Sequence, residues 1–168
     1  APSRGKEYLA QLEFKPNRNF SSYVRYRFED KFESYDLGEQ PIDEIGLRHR
    51  QWFRVNTQYT LNKVLTLRNR IEYVHVDLPE GDVQNGWMIY QDVIFKPKWP
   101  AKYELKLRYS LFDSDGYDSR IYAYEHDVLY SFSVPAYYGR GSRFYVILGY
   151  SLTKWSDITV RVSQTYYA

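Results

Sequence analysis

The sequence predicts an all-β protein, an antiparallel transmembrane β-barrel of about eight to ten strands, and three observations lead to this prediction. Residues 102–112 alternate almost without a break between apolar side chains and charged or small polar ones. Only an extended strand separates two such sets, because its side chains point alternately to opposite faces. The same alternation recurs along the chain with no helical stretch between. Finally, 19 of the 168 residues are Tyr although the mean hydropathy is −0.64, a combination typical of barrels that carry aromatic girdles outside and polar residues inside.

Composition excludes several classes of protein. The length suits a single domain over residues 1–168, and the absence of Cys excludes disulfides and thiolate metal sites. The net charge of +2 comes from interspersed signs, so we expect no nucleic-acid contact. No apolar run is long enough for a transmembrane helix. Because no signal peptide is present, we expect a mature form or a piece of something longer.

The first four strands each present one apolar and one charged face. We place them at residues 7–15, 20–33, 47–61 and 64–77. Their apolar sets are Tyr8, Leu12 and Phe14; Val24, Tyr26 and Phe28; Phe53, Val55 and Tyr59; and Leu65, Leu67 and Ile71. Arg, Lys, Glu and Gln occupy the alternate positions, as expected for a sheet with two different environments.

Five further strands repeat the pattern. We place them at residues 87–96, 102–112, 120–134, 143–153 and 158–167. In the strand at 120–134 the alternating set is Tyr122, Tyr124, Val128, Tyr130, Phe132 and Val134. Strands of roughly 9–15 residues are long for a soluble protein but suit a tilted span of a bilayer.

The connections alternate at first between short and long. They fall at residues 16–19, 34–46, 62–63, 78–86, 97–101 and 113–119, and short turns at one end with longer loops at the other are typical of outer-membrane barrels. The turn at 154–157 breaks the alternation, because it falls at the long-loop end although Lys154-Trp155-Ser156 resembles Lys98-Trp99-Pro100. Either residues 120–142 contain an unresolved strand pair, or the likeness of the turns misleads.

The charged faces are expected to line the interior of the barrel, where oppositely charged side chains pair across strands. The predicted lumen set is Arg25, Arg27, Arg54, Arg68, Arg70, Glu72, Glu104, Arg108 and Arg161. The apolar faces would contact lipid, including lipopolysaccharide in a bacterial outer membrane or detergent in solution. Trp87, Trp99 and Trp155 are expected to form an aromatic girdle at the membrane interfaces.

Candidate chemistry is sparse. The three His residues, at 49, 75 and 126, do not converge in the predicted topology, so we expect neither a metal site nor a cofactor. Ser131 and Ser133 share a strand with His126 but face the other way by parity. Since a nucleophile must lie within hydrogen-bond reach of its base, we predict no enzyme activity.

The stretch from Arg120 to Arg143 and the ending Arg161-Val162-Ser163-Gln164-Thr165-Tyr166-Tyr167 resemble the C-terminal barrel portion of Bacteroidota outer-membrane proteins that have an N-terminal helix-hairpin-helix region. The resemblance is best over about the last 50 residues. It implies an outer-membrane barrel of which this chain is a late part. The helix-hairpin-helix is missing here, so the resemblance implies no DNA contact for this segment.

Three functions fit these predictions. The first is a structural anchor or component of an outer-membrane complex, with other outer-membrane proteins as partners and a narrow, plugged lumen. The second is a pore for small polar solutes, and the third is a soluble ligand-binding β-barrel. A charged face beside a Tyr-rich apolar face favours the membrane alternatives, because Tyr hydroxyls packed in a protein core would each need a hydrogen-bond partner.

Overall fold

Most of the stretches in which polar and apolar side chains alternate form β-strands, as predicted. The computed structural model describes residues 4–35, 44–97 and 102–168, and Trp99 and much of the loop at 34–46 lie outside this range. The strands are β1 (Gly5–Asn17), β2 (Phe20–Tyr35), β3 (Glu44–Thr60), β4 (Leu65–Asp77), β5 (Val83–Phe95), β6 (Tyr103–Ser114), β7 (Ile121–Tyr122), β8 (Ala136–Tyr137), β9 (Gly141–Ser151) and β10 (Asp157–Tyr167). The described residues contain no helix long and apolar enough to cross a membrane.

Eight strands form one antiparallel sheet in the order β1-β2-β3-β4-β5-β6-β9-β10, and β7 and β8 form a separate hairpin. The all-β, antiparallel prediction is confirmed. Closure into a barrel is not seen, because β1 and β10 each pair with a single neighbouring strand among the described residues. Both outer strands therefore present unpaired backbone groups along one edge.

The predicted strand at residues 120–134 is wrong. Only Ile121–Tyr122 of this stretch lies in a strand, and β6 pairs directly with β9. Residues 115–140, hereafter the inserted segment, leave the sheet and return to it. Removing one strand from the count resolves the conflict over the turn at 154–157. That turn now lies at the same end of the sheet as residues 18–19 and 61–64 (the turn end), and the inserted segment starts from the opposite loop end.

The two faces of the sheet differ in character and in exposure. The polar face carries Arg70, Glu72, Asp92 and Arg108, which are buried. The apolar face is solvent-exposed and bears most of the Leu, Ile, Val, Tyr and Phe side chains of the strands. A small apolar core lies at the loop end of the polar face, beneath the β7–β8 hairpin. It consists of Val74, Val76, Met88, Tyr90, Phe112, Ile121, Ala123 and Tyr137.

Candidate functional site

The inserted segment crosses the polar face and is held there by three arginines that bind its backbone. Arg50 of β3 donates to the carbonyl oxygen of Arg120 at 2.9 Å. Arg70 of β4 donates to the carbonyl of Tyr122 at 3.1 Å, and Arg108 of β6 donates to the carbonyl of Tyr124 at 2.6 Å. Alternate carbonyls of an extended chain point the same way, so a segment laid across the sheet can present the carbonyls of residues 120, 122 and 124 to arginines on three different strands.

Two carboxylates of the sheet pair with two of these arginines, Arg70 and Arg108. Arg108 pairs with Asp92 on the neighbouring strand, with Nη2 to Oδ2 at 2.7 Å, and its guanidinium lies 3.6 Å from the ring centroid of Tyr90. Glu72 pairs with Arg70 on its own strand and with Arg54 on β3, where Nη2 lies 2.8 Å from Oε1. The Arg108–Asp92 pair is bidentate, and a charge-assisted pair of this kind fixes the plane of a guanidinium, so the remaining Nη1 of Arg108 is aimed at the inserted segment.

Glu125 anchors the far part of the inserted segment. Its side chain is fully buried and accepts hydrogen bonds from Arg143 of β9 at 2.7 and 2.9 Å. Arg161 of β10 also pairs with Glu125 and reaches Asp127 at 3.0 Å. Tyr137 of β8 donates to the same carboxylate at 2.7 Å. The carboxylate therefore joins the inserted segment to the two last strands of the sheet.

Burial and nearby charges shift the pKa values of three titratable groups in the inserted segment. Burial by itself raises the pKa of Glu125, but hydrogen bonds from Arg143 and Tyr137 and the charge of Arg161 outweigh it, so the pKa lies below its ordinary value. Burial, together with the Glu125 carboxylate, raises the pKa of Tyr137 to about 12. Burial lowers the pKa of His126, whose backbone N–H donates to the Tyr145 hydroxyl at 3.3 Å.

Every residue of the predicted lumen set lies on the polar face, because directly paired residues of an antiparallel sheet share a face. Arg25 lies opposite Arg54, and Arg54 lies opposite Glu72. Of the set, Arg68, Arg70, Arg108 and Arg161 contact the inserted segment directly. The other contacts are within the sheet or beside it. Arg25 binds Gln11, Arg27 binds Glu7 and Glu29, and Glu104 pairs with Lys96 and Lys106. That this face lines a lumen stays a prediction.

The predicted girdle is spread over both ends of the sheet. Trp87 lies on the apolar face opposite Tyr73, towards the loop end, whereas Trp155 lies in the turn after β9 and is highly exposed. Trp99 lies outside the described residues. Trp87 and Trp155 therefore lie towards opposite ends of the sheet, and their place in a girdle stays a prediction.

Sequence reasoning omitted the groups that hold the inserted segment, namely Arg50, Asp92, Glu125, Asp127, Arg143 and Tyr145. The sequence did contain one sign of the inserted segment: nine strands are predicted, and this odd number places the turn at 154–157 at the long-loop end, where its composition does not fit. The hydroxyl of Ser131 donates to Asp127 at 3.1 Å, and the ring of His126 faces Arg68 at 3.4 Å. Across the described residues, no three His, Asp or Glu side chains converge in a way that could hold a metal ion.

Comparison of the chain with known protein families, with curated proteins and with solved structures gives no match. The resemblance to Bacteroidota outer-membrane proteins therefore stays a prediction from the sequence.

Proposed function

We propose that the sheet is the wall of a bacterial outer-membrane β-barrel and that the inserted segment is an internal plug, so that the protein acts as a membrane anchor or as a component of a membrane complex. One observation carries the proposal: the polarity of the two faces is inverted relative to a water-soluble domain. Glu72 and Asp92 are 2% and 1% exposed, whereas Leu12 and Val160 are 74% and 53% exposed.

A domain folded for water buries its apolar face and solvates its charges, because burying an ion is costly and burying apolar area is favourable. Here charged side chains at the centre of the polar face are covered, whereas the aliphatic side chains of the opposite face are bare. Contiguous exposed apolar surface of this extent marks a membrane or protein contact. A bilayer accounts for the whole face at once, since it stabilises apolar side chains on every strand of a barrel.

The open edges of β1 and β10 fit the same proposal. Backbone N–H and C=O groups in a hydrocarbon environment need hydrogen-bond partners, so a spanning sheet must have every edge paired. We infer that in the membrane these two strands pair with each other or with strands of another barrel segment. Either pairing removes the edges that would otherwise promote aggregation.

Refolding into detergent micelles tests the proposal. We expect the 168-residue chain to migrate faster on a denaturing gel when loaded cold than after boiling, because a closed barrel keeps its compact form in the detergent. A monomeric fold in plain buffer, with no shift, would support the soluble ligand-binding alternative and contradict the membrane proposal. Aggregation in buffer with retained sheet structure in lipid would indicate a wall that needs further strands.

A pore for small polar solutes is the second candidate, favoured by the uneven cover of the polar face. On the described part of β1–β3, two arginines contact the inserted segment. Arg48 lies 4.0 Å from Asp118, and Arg50 donates to the carbonyl oxygen of Arg120. Arg25 and Arg27 on this half are tied to residues of the sheet. Planar-bilayer recordings separate the candidates: reproducible conductance steps from the intact chain would support a pore, and steps that appear only after residues 117–137 are replaced by a short turn would support a plugged barrel.

A further inference from the structure

One row of polar side chains crosses the middle of the apolar face on β3–β6, with apolar rows directly above and below it. The strand register places Thr57, Asn69, Gln91 and Tyr109 side by side on β3, β4, β5 and β6. Neighbours in this row lie about 5 Å apart, as on any sheet. The rows on either side are apolar, with Val55, Ile71, Ile89 and Leu111 towards the loop end and Tyr59, Leu67, Val93 and Leu107 towards the turn end.

Asn69 and Gln91 lie at the middle of the apolar stretch of their strands. On β4 the apolar face runs from Leu65 to Tyr73 with Asn69 at its centre. On β5 it runs from Trp87 to Phe95 with Gln91 at its centre. If the sheet spans a bilayer as proposed above, both carboxamides lie near the midplane, where polar groups are costly unless they are hydrogen-bonded.

The sheet satisfies only part of the hydrogen-bonding capacity of these amides. Asn69 Nδ2 donates to Thr57 Oγ1 at a long 3.4 Å, and Gln91 Nε2 donates to the carbonyl oxygens of Arg68 and Asp92 at 3.1 and 2.7 Å. All three bonds use side-chain N–H groups of the two amides. Within the described residues neither carboxamide oxygen has a hydrogen-bond partner, so each remains an acceptor for an incoming group.

We propose that the apolar face of β3–β6 binds a second copy of this chain within the membrane, with Asn69 and Gln91 at the centre of the contact. This inference rests on the proposed membrane-spanning function. Two copies in one membrane share their orientation, so the symmetry axis of a dimer runs along the membrane normal. An axis between β4 and β5 places Asn69 of each copy opposite the partner's Gln91.

A second copy fits this surface because the carboxamides are self-complementary. Each amide both donates and accepts, and the row contains no charged side chain that would demand an oppositely charged partner. Polar side chains hydrogen-bond across interfaces in membranes and set the register of the association. The surrounding Ile71, Ile89, Val93 and Leu107 supply the apolar rim that packs around the amide pair.

Cysteine cross-linking in lipid vesicles tests the proposal, and the chain has no Cys of its own. Facing sheets pack about 10 Å apart, so a bis-maleimide of that reach should link Ile71→Cys to the partner's Ile71→Cys. Leu12→Cys on β1 and Val160→Cys on β10 are the controls on the same face. We expect a cross-linked dimer from Ile71→Cys and none from the controls; the reverse pattern would overturn the proposal, because it would mean that copies associate through their edges.

Replacing the amides tests their part in the contact without weakening the fold, since Asn69→Leu and Gln91→Leu match the apolar surroundings. We expect the double variant, in the Ile71→Cys background, to weaken dimer affinity about three- to fifteenfold for each amide pair lost. Gln164→Leu removes an amide from the same face of β10 and should leave the affinity unchanged. Equal affinity in all three proteins would overturn the role of the amides.

Insertion is measured separately by the cold-against-boiled gel shift in the same vesicles. A chain that inserts but stays monomeric at every lipid dilution overturns the dimer and leaves the proposed function intact. A chain that does not insert overturns both. The two failures are thus distinguishable in one set of samples.

Discussion

Glu125 carries a charge in a fully buried position, and the surrounding residues account for its stability there. Arg143, Arg161 and Tyr137 supply hydrogen bonds from three different strands. A buried carboxylate is stable only when such partners compensate for its lost hydration. The same partners that make the charge tolerable also join β8 to the rest of the inserted segment and tie the segment to β9 and β10.

Glu125→Gln should loosen the inserted segment, because a neutral amide removes the carboxylate that pairs with Arg143 and leaves Arg161 paired with Asp127 alone. Breaking a buried pair of this kind costs about 3–5 kcal/mol. The measurement is the rate of limited proteolysis within residues 115–140, which should rise in the variant. Glu104→Gln is the matched control, since its longer contacts to Lys106 and Lys96, at 3.5 and 3.8 Å, are partly exposed. Similar proteolysis of both variants would contradict the anchoring role.

Acid should release the same anchor. Because the folded protein lowers the pKa of Glu125 below its ordinary value of 4.5, the unfolded or released segment binds protons more readily than the folded one. The anchoring energy is therefore complete above about pH 4.5 and is lost as the pH falls through the lowered pKa. Digestion of the segment by an acid-active protease should increase across that window. The Glu125→Gln variant should lack this increase, and an identical pH profile in both proteins would refute the assignment.

At the scale of elements, the inserted segment needs close backbone approach to the sheet at Gly86 of β5. A Cβ atom at this position would lie 2.2 Å from the carbonyl oxygen of Ser119, far inside contact distance. Because Gly86 has no side chain, the inserted segment can lie flat against β5.

Gly86→Ala should displace the start of the inserted segment and weaken its packing on Val74, Val76 and Met88. Overpacking of a tight site costs about 1–3 kcal/mol. Hydrogen exchange of the backbone amides at Ile121 and Ala123 should become faster while that of β4 changes little. Gly149→Ala is the control, since its nearest heavy atoms lie at 3.8 and 3.9 Å. Unchanged exchange in Gly86→Ala would show that the segment is not held against β5.

Alternation in the sequence predicts most of the sheet. Where a strand has one apolar and one charged face, as in residues 102–112, the period of two is almost unbroken and the strand bounds agree with the structure to within a few residues. The assignment of Arg25, Arg54, Arg70 and Arg108 to one face follows from the same parity.

The same reasoning fails over residues 120–134 for a physical reason. An extended segment lying on a sheet also has two faces: Ile121, Ala123 and Glu125 are buried against the sheet, whereas Tyr122 and Tyr124 are exposed. Alternation shows that the two faces of a segment have different environments, but it does not show whether the backbone of that segment forms hydrogen bonds with a strand of the sheet. The pairing of Glu125 with Arg143 and Arg161 was likewise beyond prediction, because it joins residues 18 and 36 positions apart through a segment whose path was unknown.

For the whole molecule, the opposite character of the two faces is what the membrane proposal depends on. Leu107 and Arg108 are neighbours in β6 but occupy opposite faces. Substitutions at this pair therefore test the two environments at one height of the sheet.

Leu107→Arg should impair insertion into lipid vesicles, since a cation on the lipid face costs about 2–4 kcal/mol near the bilayer midplane. Arg108→Glu should leave insertion nearly intact but place a carboxylate beside Asp92, so that the inserted segment loses its contact at Tyr124. Insertion is measured by the gel shift and the segment by proteolysis. Equal tolerance of both substitutions in both measurements would contradict the proposed orientation of the sheet.

Three arginines bind the inserted segment through carbonyl oxygens, and every residue type has a carbonyl oxygen. The attachment at positions 120, 122 and 124 therefore does not depend on which side chains occupy them. Tyr122 and Tyr124, which point away from the sheet and are about half exposed, are free to be exchanged without loss of these bonds. The exposed side chains of this segment can therefore change, in evolution or in a designed library, while the arginines that bind its backbone stay the same.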